Sequence, residues 1–399
     1  MIKRTAVLAA VAVATACLGT ASALADDHSS HGHGGGNNAA FTYAVYGDAP
    51  YGTTPADTSE FDATPAFVDS VNADPDVSSV VHVGDIHSGK QFCTEAYDRA
   101  VYQLWTRFQD PLVYTPGDNE WTDCHKAAEG GGTYDPSTGT VKYVLDPGTG
   151  QPVDYASGNP AANLDLVRSI FFAHPGRTLG SGGLRVLSQA QLPDPHHRGD
   201  ARYVENVVWQ RAGTVFVTID VPGGSNNNAD PWYGAPAESA QQQQERAQRT
   251  AADLRWLDVA FGLARATRAH GVVIVTQADM WDLDGKTPAH LTNYEPLVAS
   301  IAHHTTAFGR PVLLLNGDSH VYRSDNPLAP GASCTGDAGV CAGDAWNSHP
   351  NYDVPNFHRI VVHGSTIPLE WLKLRVDPRA QAANGATAFG PFSWTRITE

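Results

Sequence analysis

The sequence is short of cations, of sulfur and of long apolar runs. Its 26 lysines and arginines face 42 aspartates and glutamates, giving a formal charge of −16 at pH 7, and it carries two methionines and five cysteines. Each shortage excludes something. An acidic surface repels nucleic acid and anionic lipid, so neither partner is expected. A membrane span needs about 18 or more consecutive apolar residues, and the best stretch, Ala6 to Leu18, falls short of that. Hydrophobic residues themselves are not lacking: at 42%, with 17% charged over 399 residues, the chain reads as a folded protein with a full core.

Lys3-Arg4, the apolar run and the small residues ending at Ala23-Leu24-Ala25 have the order of a secretory signal peptide, with cleavage expected after Ala25. Cys17 raises a lipid anchor, but Ala14 stands where a leucine is usual. Removing residues 1–25 takes away Lys3 and Arg4 and no acid, so the charge moves from −16 to −18. Residues 26–40, rich in Gly and His, read as a disordered linker. Residues 41–399 read as a single domain, with a surface insertion at 126–160. Secretion implies an oxidising compartment, extracellular or at the cell envelope. The four remaining cysteines, Cys93, Cys124, Cys334 and Cys341, allow three pairings; a local Cys334–Cys341 loop would leave Cys93 with Cys124.

Apolar strand-like runs alternate with helical patterns. TPAFVDSVNADPD precedes VSSVVHV, a long helix is expected over 237–269, and NYEPLVASIAHHTTAF precedes PVLLL. In the long helix Leu254, Leu257, Phe261 and Ala264 share one face, and Gly271 suits its stop. Helix followed by buried strand, repeated, indicates an α/β layered domain. YVENVVWQ and TVFVTIDV read as an antiparallel hairpin, and so do FHRIVVHG and LEWLKLRV.

Four strand-like runs end in Gly-Asp, at Asp48, Asp85, Asp118 and Asp318. The same dipeptide at Asp200, Asp337 and Asp344 has no strand before it. Ligands of open α/β sheets bind at the carboxyl edge, where loops from neighbouring strands converge. Four carboxylates gathered there would repel one another unless cations held them. The bland reading is that each Asp caps a turn or helix after its strand.

GDAPYG (47–52), GDIHSG (84–89), GDNEWTDC (117–124), TQADMW (276–281) and GDSHVYR (317–323) follow in an order that resembles the calcineurin-like metallophosphoesterase superfamily. They are most similar to a secreted bacterial branch with GDNEWTDC and GDSH in place of the usual histidine motifs. The resemblance implies a four-layer α/β/β/α sandwich with two mixed sheets, and an exported hydrolase of small-molecule phosphoesters that uses a metal-bridged hydroxide. By position it makes Asp48, Asp85, Asp118, Gln277, Asp318 and His320 the metal ligands, with Asp85 bridging. Asn119 and Glu120 become the catalytic candidates, Asn119 to orient substrate and Glu120 to relay a proton.

The departures from that pattern have consequences. Pro50 stands where a histidine is usual, with Tyr51 or His87 as compensating candidates. A site built from Asp85, Asp118, Asp318 and the Gln277 carbonyl favours Mg²⁺, Mn²⁺ or Ca²⁺, while Fe or Zn suits the other; up to two divalent ions are expected. Four carboxylates cancel the charge of two such ions, so Lys90 and Arg323 are candidate substrate-binding cations. Asn226 and Asn227, in GGSNNN, are further substrate candidates, although such clusters are ordinary turns. An amide at 119 cannot act as a general acid. The alternative is a non-catalytic extracellular module of the same fold holding one metal such as calcium. Cys93 and Cys124 follow Asp85 and Asp118 on loops expected to leave neighbouring strands, so a disulfide tying those loops is expected. His196, His197, His303 and His304 read as solvated, and Arg198-Gly199-Asp200 as a turn.

Overall fold

A computed structural model describes residues 39–192, 194–341, 343, 345–380 and 383–398. The expected signal peptide, nearly all of the linker, and Asp344 lie outside the described residues. Among the described residues no helix is long and apolar enough to cross a membrane.

Eighteen strands are described: β1 (Phe41–Tyr46), β2 (Val77–His82), β3 (Leu112–Tyr114), β4 (Gly132–Asp135), β5 (Thr140–Tyr143), β6 (Leu187–Ser188), β7 (Val207–Arg211), β8 (Thr214–Thr218), β9 (Gly271–Val275), β10 (Val312–Asn316), β11 (Arg323–Asp325), β12 (Thr335–Gly336), β13 (Gly339–Val340), β14 (Phe357–Val361), β15 (Trp371–Val376), β16 (Ala383–Gly385), β17 (Ala388–Gly390) and β18 (Phe392–Ile397). They form two large sheets, ordered 16-17-18-15-1-2-3 and 13-12-11-14-10-9-8-7-6, and a separate β4–β5 hairpin within the 126–160 segment. Both large sheets are mixed. In the first, β1, β2 and β3 run parallel, β15 pairs antiparallel with β1, and β18 pairs antiparallel with β15. In the second, β8, β9, β10 and β14 run parallel while β7 and β11 are antiparallel.

Strand periodicity sorts the side chains into layers. Phe41, Tyr43 and Val45 of β1 point between the sheets, where they meet Val273, Val275, Leu313 and Leu315. Ala44 and Tyr46 of the same strand point outward, onto α1 (Ser59–Ala73), α2 (Glu95–Trp105) and α3 (Pro160–Phe171). Val272, Ile274, Val312 and Leu314 face outward from the second sheet, onto α4 (Ala240–Thr267) and α5 (Glu295–Phe308). The architecture is therefore α/β/β/α. Each fully buried aliphatic or aromatic side chain contributes about 1.5–3 kcal/mol, so the three cores hold the layers together. Trp209 Nε1 donates to Tyr43 Oη at 3.0 Å and Trp394 Nε1 to Tyr322 Oη at 3.0 Å, which pairs polar tips across the inter-sheet core.

Three expectations are corrected. FHRIVVHG and LEWLKLRV are not a hairpin: β14 pairs with β10 in one sheet and β15 with β1 in the other. The segment between them crosses from sheet to sheet, which a tight turn cannot do. The long helix ends at Thr267 because Arg268 adopts a left-handed conformation (φ +55°), and Gly271 already belongs to β9. His304 is not solvated but buried, stacked on Phe261 and 3.1 Å from Asp258.

Candidate metal centre

β1, β2, β3, β8, β9 and β10 all point their carboxyl ends to one edge of the sandwich, and the loops that leave β1, β2, β3 and β10 carry the Gly-Asp motifs. Asp48 (φ +49°), Asp85 (φ +59°), Asp318 (φ +74°) and His320 (φ +55°) sit in the left-handed region. For non-glycine residues this costs of order 1 kcal/mol each and persists only where the surroundings impose it. The loops interlock: Asp48 N donates to Gly84 O at 2.8 Å and Asp318 N to Asp48 Oδ1 at 2.9 Å. The glycines permit close approach, since a Cβ at Gly317 would stand 2.1 Å from Asp48 Oδ2 and one at Gly364 would stand 2.3 Å from Asp48 Cβ.

Asp48, Asp85 and His320 each offer a ligand atom, all within 4.8 Å of one another. His320 Nε2 lies 3.2 Å from Asp48 Oδ1, and His320 Nδ1 lies 3.2 Å from Ser365 Oγ, which orients the ring. Asp48 is fully buried and its Oδ2 has no hydrogen-bond partner. A buried carboxylate oxygen left unpartnered beside a second carboxylate and an imidazole fits a divalent cation.

On the other side of Asp85 the arrangement differs. Gln277, expected to offer its carbonyl to a metal, accepts from Gly223 N with Oε1 at 2.6 Å. Its Nε2 donates to Asp118 Oδ1 at 2.9 Å and to Asp85 Oδ2 at 3.2 Å. Asp318 Oδ2 accepts from Asp279 N at 2.9 Å.

Asn119 stands over Asp85: its backbone N donates to Asp85 Oδ1 at 3.2 Å, and Nδ2 donates to Asp85 Oδ2 at 3.1 Å and to Tyr51 Oη at 2.8 Å. Tyr51 Oη in turn donates to Asp85 Oδ2 at 2.7 Å, and its ring meets His320 edge-on. Glu120 turns away. Its Oε1 accepts from Gly117 N at 2.6 Å and from Tyr114 Oη, so this carboxylate shapes the loop after β3.

The remaining candidates divide. Lys90 is exposed next to Gly89, where a Cβ would stand 3.5 Å from Asn119 Oδ1. Arg323 begins β11 and acts electrostatically on Asp282. His87 is fully buried, grouped with Glu129 and with Cys93, whose sulfur is in a disulfide, and not with Asp48, Asp85 and His320. Asn226 and Asn227 are buried and tied inward, the first to Arg249 and Thr250, the second to Glu245 and Trp232.

Sequence reading missed several contributors. Buried Arg359 pairs with Asp279 and with Asp325 at 2.9 Å, fixing the loop after β9; its signal was an arginine amid the apolar residues of β14. Glu60, in the first turn of α1, is buried near His320 and Asp48, and nothing in its sequence context distinguished it.

Burial, reinforced by the neighbouring carboxylates, raises Asp85 and Asp318 well above the ordinary carboxylate range. Burial and then Asp123 push Asp118 up to about 7. For His320 burial works against the charged ring, but Asp48, with Asp118 and Glu60, together outweigh it and the net shift is upward. Such a site favours a bound positive charge, whether proton or metal.

No protein-family description and no curated protein matches this sequence. Among solved structures, the purple acid phosphatase PPD1 from yellow lupin (Lupinus luteus) seeds aligns with 90% of this chain and 54% of its own, at 10% identity and a TM-score of 0.36. The chain thus spans about half the length of that phosphatase.

Proposed function

We propose that the chain is an exported, metal-dependent phosphoester hydrolase, built as one domain over residues 41–399 after a signal peptide at 1–25 and a linker at 26–40. The observation that carries this reading is the convergence of Asp48, Asp85 and His320 at the shared carboxyl edge of both sheets, with Asp48 Oδ2 buried and unpartnered. A cation held there supplies Lewis acidity toward a phosphoryl oxygen and lowers the pKa of water. The chain's own groups do the rest. Asn119 Nδ2 and Tyr51 Oη stand beside Asp85 and donate to its Oδ2; exchanging those bonds for bonds to a phosphoryl oxygen would orient it there. Exposed Lys90 adds positive charge at the rim.

Glu120 gives weight to the alternative, a non-catalytic module holding one cation, because its Oε1 is taken by Gly117 and Tyr114 and its Oε2 makes no hydrogen bond into the site. The test is turnover of phosphomonoesters, diesters and anhydrides by the purified chain, stripped by chelator and then given Mn²⁺, Zn²⁺, Mg²⁺ or Ca²⁺. Restored hydrolysis supports the enzyme. Tight cation binding without turnover of any of the three classes supports the module.

A further inference from the structure

Gln277 stands between the two halves of the carboxylate cluster, and its environment fixes which end of the amide faces which way. Gly223 N–H needs an acceptor and finds Gln277 Oε1 at 2.6 Å. The reversed amide would set donor against donor there and oxygen against two carboxylates. Hence Nε2 faces Asp118 Oδ1 and Asp85 Oδ2, with one hydrogen for each.

The residues around it leave no slack. A Cβ at Gly84 would fall 2.6 Å from both Cβ and Cγ of Gln277, so the side-chain stem lies flat against that glycine. Gly317 N donates to Gln277 O at 3.0 Å, and Ala278 N to Val221 O at 3.0 Å, which fixes the main chain on both sides. Gly223 is held by the turn that follows it, in which Gly224, Ser225, Asn226 and Asn227 are all left-handed, with φ between +58° and +65°. Three consecutive non-glycine residues in that region are costly, and Arg249, Thr250, Glu245 and Asn293 bind their side chains to keep them there. Gly223 also closes the space itself: a Cβ there would stand 2.5 Å from Asp118 Oδ2 and 2.6 Å from Asp318 Oδ1.

An amide nitrogen with its lone pair delocalised is not a metal ligand. What lies between Asp85 and Asp118 is therefore a neutral two-hydrogen donor in the position that a second ion would need. Asp85 Oδ2 already accepts from Tyr51, Asn119 and Gln277, which leaves it poorly suited to bridge two ions.

We propose that this chain binds a single divalent cation through Asp48, Asp85 and His320, and that the Gln277 amide takes the place of a second. The inference rests on the metal-centre reading above. One nitrogen and carboxylate oxygens suit Mn²⁺, Fe²⁺ or Zn²⁺. Gln277→Glu changes one NH₂ into an oxygen at constant shape, so it converts the donor into a ligand and adds a fourth carboxylate beside Asp85, Asp118 and Asp318.

The test is metal stoichiometry of the full chain by elemental analysis and calorimetric titration with Mn²⁺ and, separately, Zn²⁺. The expected result is one ion per chain in the wild type and two in Gln277→Glu, whose unfolding temperature should keep rising through the second equivalent. Two ions in the wild type overturn the proposal whether or not the variant folds. One ion in both proteins, with Gln277→His also binding one, overturns the role given to Gln277. No ion in the wild type overturns the metal-centre reading itself.

Discussion

His320 Nε2 lies 3.2 Å from Asp48 Oδ1, although Asp48 leaves β1 of one sheet and His320 follows β10 of the other. A cation bound there ties the sheets together and stabilises the folded state by linkage, about 2.7 kcal/mol at a hundredfold excess over Kd. Mn²⁺ or Zn²⁺ should raise the unfolding temperature of the wild type and leave Asp48→Asn and His320→Ala nearly unmoved. Asp200→Ala should keep the full metal-dependent rise while losing roughly 1 kcal/mol of stability, because Asp200 pairs with Arg255 at 2.6 Å. Equal loss of the rise in all three variants would contradict the strand-end site.

Asp200 also shows why the Gly-Asp pattern was legible. A carboxylate after a buried parallel strand is delivered to the edge where other strands end, whereas one in a surface turn meets whatever lies nearby. The layers were legible for a related reason: β9 and β10 are apolar at every position save their ends, as strands covered on both faces must be. Sheet membership of β14 and β15 was not legible, since periodicity gives a strand its faces but not its neighbours. Nor was the orientation of Gln277, because it depends on Gly223, which is 54 residues away in sequence. Asn226 and Asn227 resembled a ligand loop because left-handed turns and ligand loops use the same residues.

The disulfide Cys93–Cys124, with Cα atoms 5.7 Å apart, ties the loop after β2 to the loop after β3 and closes 31 residues. Chain-entropy arguments give about 3–4 kcal/mol for a loop of that size and about 2 kcal/mol for the 7-residue Cys334–Cys341 loop. Replacing the first pair by serine should cost the larger amount and weaken cation affinity. Replacing the second should cost less and leave affinity alone. Guanidinium unfolding with metal titration measures both, and equal affinities in the two variants would separate the first disulfide from the site.

His363 is buried with Nδ1 2.7 Å from Glu370 and Nε2 2.6 Å from Asp337, while Arg396 binds both acids from β18. Burial opposes the charged ring, but Glu370 and Asp337 prevail and raise its pKa in the fold. Stability from this group is therefore fully present below the unfolded value of about 6.5 and is lost as pH rises through the higher folded value. Glu370 shifts the other way: burial opposes, yet His363 and Arg396 lower it, so its contribution fades as pH falls through that lowered value. Urea unfolding followed from pH 9 down to well below the ordinary carboxylate range should show both limbs, and His363→Gln should flatten the alkaline one. An unchanged alkaline limb in that variant would assign it to another group.

What Asn119 and Glu120 touch sets how the site treats the leaving group. An alkyl phosphate needs a proton delivered as its ester bond breaks, while an aryl ester or an anhydride departs without one. Asn119 donates from Nδ2 to Tyr51 and Asp85 but has no proton to lose near neutral pH. Glu120, although burial raises its pKa, has Oε1 bound by Gly117 N and Tyr114 Oη and Oε2 buried without a partner, so it makes no hydrogen bond into the site. The rate of the chemical step should therefore fall steeply as the leaving-group pKa rises, with aryl esters and anhydrides far ahead of alkyl monoesters. Asn119→His, which places an ionisable ring beside Asp85, should accelerate alkyl esters more than aryl ones. Glu120→Gln should lower stability by roughly 1–3 kcal/mol, since the loop after β3 loses a charged acceptor, and should leave the slope against leaving-group pKa as it was. Similar chemical-step rates for alkyl and aryl esters in the wild type would mean that another group on the site delivers the proton, and a slope changed by Glu120→Gln would identify that group as Glu120.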